Sequence, residues 1–146
     1  MAVIKQLDNL ELVYTIFCDD VRLEAGNRLS LMGVIPNIIM VQHLPITMIK
    51  FAVVHHWRGE GVHLSEVRIL TPDRQVPIVV SQPTRFEMAS GGFADNISFF
   101  VNVTFNTPGE YWVQTLVDST LYEEQPLLVS TGQDAQQTES ISESIN

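Results

Sequence analysis

Period-two alternation, carried by β-branched and aromatic side chains, dominates the chain and predicts strands. Ile97–Phe105 shows it most clearly, with Ile97, Phe99, Val101, Val103 and Phe105 set against Ser98, Asn102 and Thr104. Leu12–Asp19 reads as a first strand, with a continuation to Glu24 left open, and Leu29–Pro36 as a second. Between them Ala25-Gly26-Asn27-Arg28 is a turn. Val21, Leu23, Leu29 and Leu31 share odd parity, so placing them on one face requires an odd loop, a three-residue hairpin with a bulge. Ile46–Trp57 is a long strand, Arg58-Gly59-Glu60-Gly61 its turn, and Val62–Leu70 the return. Thr71-Pro72-Asp73-Arg74 turns again into a short strand at Val76–Val80, which Pro77 assigns to an edge. Gln82–Asn96 lacks a regular pattern and reads as an irregular segment with a short helix at Arg85–Ser90. After a turn at Thr107-Pro108-Gly109, Tyr111–Val117 and Leu121–Val129 form a closing hairpin around Asp118-Ser119.

No helical stripe of 12 or more residues interrupts this series. Seven or eight strands at short, regular spacing predict an all-β fold, a two-layer antiparallel β-sandwich. From Gly132 the sequence is Gln, Ser, Thr, Glu and Asp with isolated Ile141 and Ile145, which cannot bury enough apolar surface to order itself. The expected organisation is a sandwich domain over residues 1–131 and a disordered tail over 132–146.

Length and composition sharpen this picture. A chain of 146 residues fits one domain, and 45% apolar residues against 17% charged ones supply a core without disulfides. Eight Lys and Arg against 17 Asp and Glu leave a net charge of −9. Phosphate backbones and anionic membranes repel such a surface, so nucleic acid and membrane partners are not expected. The single cysteine, Cys18, has no intramolecular partner. Met1–Leu10 lacks the apolar core of a signal peptide, and no window reaches the ~18 apolar residues of a membrane span. A soluble, cytoplasmic protein is the expectation.

Two segments carry a resemblance. Phe17-Cys18-Asp19-Asp20-Val21-Arg22-Leu23-Glu24, Gly26, and Leu29-Ser30-Leu31-Met32-Gly33-Val34-Ile35-Pro36 together resemble the opening of an uncharacterised family of small bacterial β-sandwich proteins. Pro108-Gly109-Glu110-Tyr111-Trp112-Val113 and Pro126-Leu127-Leu128-Val129 are similar to the closing hairpin of immunoglobulin-like sandwiches. The resemblance implies an immunoglobulin-like fold and brings no activity with it. It also suggests a corner hydrogen bond from Tyr111.

Candidate chemistry is sparse. A hairpin centred on Gly59 would set His55 opposite His63, close enough to share a metal, with Glu60 or the distant His43 as a third ligand. The competing reading is a hairpin tip with partly solvated histidines. Asp19, Asp20 and Glu24, and separately Glu123 and Glu124, could serve acid–base or calcium chemistry, but alternation makes Asp20, Arg22 and Glu24 a solvated stripe. Cys18, inside an apolar strand beside Asp19, reads as a buried and inert thiol. No nucleophile elbow or phosphate loop is present. Parity points Trp112, Leu116 and Phe100 outward, either under the Gln82–Asn96 segment or as an exposed patch for a partner. The expectation is a non-catalytic protein-interaction or assembly module without a cofactor, its partner being another protein or a second copy. The alternatives are a metal-dependent hydrolase at His55 and His63 or a small-molecule carrier.

Overall fold

The computed structural model describes residues 9–132. The expected tail therefore lies outside the described residues, apart from Gly132. Eight strands form one mixed sheet: β1 (Leu10–Glu24), β2 (Arg28–Ile35), β3 (Ile38–Met40), β4 (Ile46–Leu70), β5 (Pro77–Val80), β6 (Thr84–Phe105), β7 (Gly109–Val117) and β8 (Thr120–Ser130). The spatial order is β2-β1-β4-β7-β8-β3, with β5 and β6 also paired to β4. The pairs are antiparallel except β3 and β8, which run parallel, so the fully antiparallel expectation is corrected.

The β4–β6 pair organises the molecule. Residues 52–59 of β4 lie between β1 and β6, whereas residues 65–70 lie against β7 on one side and β5 takes over from β6 on the other. The register with β6 shifts between Gly59 and Gly61, which is a bulge and not the expected hairpin turn. Gly61 sits at φ +92, where a side chain is strained. A Cβ on Gly59 would overlap the Asn9 carbonyl oxygen, which also accepts from Glu60 N–H at 3.0 Å. Two glycines around one exposed Glu thus bend a strand that continues. The expected helix at Arg85–Ser90 is likewise β strand: Arg85 to Met88 face Leu64 to Gly61 along β4.

Curling at this bulge brings both halves of β4 into one core. Phe51 and Val53 from the first half join Val67 and Ile69 from the second, with Phe17, Phe100, Val103, Phe105, Tyr111, Val113, Leu127 and Val129. A second cluster gathers Leu10, Trp57, Phe86, Met88, Val117 and Tyr122 around the bulge. A third, on the opposite face of the sheet, holds Cys18, Ala52 and Val54, with Val21, Leu29 and Leu31 of the β1–β2 hairpin packed on it. That hairpin has the expected three-residue loop, since Glu24 pairs with Arg28 and Leu23 with Leu29.

The Ile97–Phe105 pattern breaks in the middle. Asn102 adopts φ +54 inside the strand, and the inward phase changes there. Phe100, Val103 and Phe105 are buried while Phe99 and Val101 are exposed. Phe100 is therefore core, a correction to its outward assignment. The closing hairpin turns through Asp118 at φ +50 and Ser119 at φ +67. Tyr111 donates to the Thr107 carbonyl at 2.7 Å, the corner bond that the resemblance implies.

Candidate functional site

The histidines do not meet. His55 lies opposite Thr15 and Asn96, and His63 opposite Phe86, because their strand runs on where a hairpin was expected. His55 is fully buried, bonded through Nε2 to Thr115 Oγ1 at 3.0 Å, and burial pushes its pKa down to about 3. His63 Nδ1 contacts the Asp118 carboxylate at 2.8 Å and its Nε2 the Glu60 carbonyl at 2.9 Å. Both partners are acceptors, so both ring nitrogens donate and no lone pair is left for a metal. Burial works against that charge, but the bonds to Asp118 and Glu60 outweigh it and raise the His63 pKa. Glu60 contributes its backbone here. Among the described residues no group of three or more His, Cys, Asp or Glu could hold a metal ion.

A polar layer between the first two clusters escaped the sequence reading. His55 Nδ1, Trp57 Nε1, Ser65 Oγ, Asn96 Nδ2 and Ser98 Oγ are buried without a hydrogen-bond partner. At its margin Thr15 donates to Glu123 at 3.1 Å. Burial raises the Glu123 pKa, and the bonds from Thr15 and Gln125 only partly offset this. The five orphaned residues are sealed from solvent, so an outside substrate has no route to them.

On the second half, Trp112 is partly covered by its own chain. The Arg74 guanidinium lies 3.7 Å from the centre of the Trp112 ring, and Glu124 holds it with bonds of 2.8 and 3.2 Å. Burial would raise the Glu124 pKa, but Arg74 and Gln114 outweigh it and hold the carboxylate below its ordinary range. Trp112 thus faces away from the main core, yet the turn after β4 covers it, not the Gln82–Asn96 segment. Leu116 is half-buried and lines a shallow cleft with Leu64, Glu66 and Pro83.

The other half differs: the β1–β2 hairpin covers Cys18, Ala52 and Val54, while the odd-numbered residues of β6 beside them stay exposed or half-buried. On the face turned away from the main core, register aligns Val34, Cys18, Ala52 and Phe99 in one row across β2, β1, β4 and β6. The next row is Ile16, Val54 and Ile97, and the one after that Tyr14, His56 and Asp95. Phe93, Phe99 and Val101 are 58%, 53% and 70% exposed along β6, and Ile49 on β4 is 73% exposed. Polar pairs flank and interrupt these rows. Lys50 meets Asp20 at 3.1 Å, and His56 meets Asp95 at 2.6 Å while stacked between Tyr14 and Phe93. Arg58 caps Phe93 at 5.5 Å. Sequence parity pointed to exposed aromatics, but the phase change at Asn102 exchanged Phe99 for Phe100.

A family model matches residues 13–130, which include most of this surface. The chain belongs to a family of unknown function, DUF6941. The match spans every strand from the body of β1 to the end of β8. No curated protein matches the chain. Among solved structures it is similar to a Pseudomonas fluorescens alkylpurine DNA glycosylase, AlkC, bound to DNA containing an abasic site analog. The TM-score is 0.54 at 8% identity, over 84% of this chain and 31% of the glycosylase. The chain thus spans about a third of the length of that enzyme, and the likeness at this identity is one of fold alone. Among the described residues no helix is long and apolar enough to cross a membrane.

Proposed function

We propose that this protein is a non-catalytic protein-interaction module whose contact surface is the exposed apolar strip of β6. One observation carries the reading: Phe93, Phe99 and Val101 stand exposed along one strand, with half-buried Ile97 between them, at the margin of the cluster that the β1–β2 hairpin covers. Large contiguous apolar patches on soluble domains mark interaction sites. Polar pairs punctuate the strip: Lys50–Asp20 stands at the Val101 end, and His56–Asp95 lies between Ile97 and Phe93. Trp112 and Leu116, the sequence candidates, are secondary in this reading because Arg74 already stacks on Trp112. The curled sheet is read as an immunoglobulin-like, two-layer sandwich, supported by the core that both halves of β4 share. A cytoplasmic setting suits the single unpaired, buried Cys18.

Affinity capture from host cells with wild-type and Phe99→Asp baits tests the proposal. A protein retained stoichiometrically by the wild type and lost with the variant is the expected result. Equal recovery by both baits would overturn the assignment of the surface.

A further inference from the structure

We infer that a second copy of the chain joins this one edge to edge through β6, the strand that carries the exposed residues, as a continuous antiparallel sheet. The inference rests on the interaction reading above and names its partner. Among the described residues, β6 beyond Gly92 pairs on one side only, with β4. Its register from Gly92 to Val101 runs without a shift, so about nine residues, roughly 30 Å, of regular backbone present unpaired N–H and C=O groups. Natural edges are protected by charge, proline, bulges or cover. Phe93–Val101 has no Lys, Arg or Pro and one acid, Asp95. The β2 edge is broken differently: its register with β1 skips Gly33, which sits at φ +67 beneath the Asp19 carboxylate.

Charge permits a second copy at this edge. Two chains of net charge −9 repel, so they can approach only where the surface carries little charge. Antiparallel pairing about Ile97 sets Phe93 beside Val101 of the other copy and Asp95 beside Phe99. The two Asp95 carboxylates then stand four residues apart along the strand, about 14 Å, beyond the ~8 Å screening length at physiological salt. The exposed rows of both copies merge into one stripe on one face. Such a two-fold contact is self-complementary, as a closed dimer requires.

Sedimentation velocity on the full chain decides the matter. A strand-edge contact is small and weak, so the series runs up to about 500 µM in moderate salt. The expected result is a mass rising to twice the monomer value with concentration, more strongly as salt rises. Amide hydrogen exchange should slow over Phe93–Val101 in the associated state. Val101→Lys and Phe99→Lys, both at exposed positions, should remain monomeric with unchanged melting temperature. Val34→Lys, on the β2 edge, should associate like the wild type. A wild type that stays monomeric throughout overturns the inference, as does a dimer that tolerates both β6 lysines or is lost with Val34→Lys. If the wild type is monomeric yet retains a host protein that Phe99→Asp loses, self-pairing fails while the interaction module stands.

Discussion

His55 shows how one buried side chain writes a pH dependence into the fold. The ring is fully buried and keeps its neutral form down to about pH 3, whereas in the unfolded chain it takes up a proton near its ordinary value of 6.5. Below 6.5 the unfolded state therefore binds more protons, and stability falls as pH falls, by up to ~1.4 kcal/mol per pH unit. His63 does not cancel this. Its pKa is raised, so its contribution is complete below 6.5 and is lost only as pH climbs through the higher folded value. The lowered carboxylates Asp20, Glu124 and Asp118 act further down, below their unfolded values of 3.8 to 4.5, whereas Glu123, raised by burial, adds stability as pH falls and contributes the same opposing slope to wild type and variant. Urea unfolding of wild type and His55→Leu between pH 6.5 and 5 isolates the effect. The two slopes are expected to differ by up to ~1.4 kcal/mol per pH unit, and parallel slopes would mean that His55 is protonated in the native state.

At the scale of elements, the Gly59–Gly61 bulge is the joint on which the architecture turns. Gly59→Ala would drive a methyl group into the Asn9 backbone and displace the Asn9–Glu60 hydrogen bond. A loss of at least ~2 kcal/mol is expected by urea unfolding, against less than ~0.5 kcal/mol for Glu60→Ala at the exposed position beside it. Comparable losses for the two variants would remove the steric argument. The same segment marks the limit of what the sequence conveys. Gly-Glu-Gly between two apolar runs is a turn signal by composition, and only the pairing of β4 with β6 on both sides of it makes it a bulge. Once a turn is assumed there, His55 and His63 fall opposite each other and Gln82–Asn96 is left without a strand to pair with. The β1–β2 and β7–β8 hairpins were legible because their turns are local: Gly26-Asn27 and Asp118-Ser119 fix the chain reversal by themselves. The candidate surface was half legible. Alternation announced exposed aromatics, but the backbone of Asn102 decides which phenylalanine is outside, and no side-chain pattern encodes that angle.

The two halves of the molecule cannot be separated, because β4 and β6 each run through both. Side chains from either end of β4 share one core, and Trp57, beside the bulge, contacts Phe86 and Tyr122 from β6 and β8. Melting the β7–β8 hairpin would strip Leu127 and Val129 from the core that also covers Phe17 and Phe51 of the other half. Unfolding should therefore be a single transition, as small single domains usually show. The two tryptophans report on different places: Trp57 in the cluster around the bulge, and Trp112 under Arg74 on the far face of β7. In Trp112→Phe the fluorescence follows Trp57, and in Trp57→Phe it follows Trp112. Within each variant the fluorescence and far-UV circular dichroism melts are expected to share one midpoint, even where the substitution lowers it. Two resolved transitions, with Trp112 released before the sheet signal is lost, would show that the β7–β8 half opens independently and that the shared strands do not couple the halves.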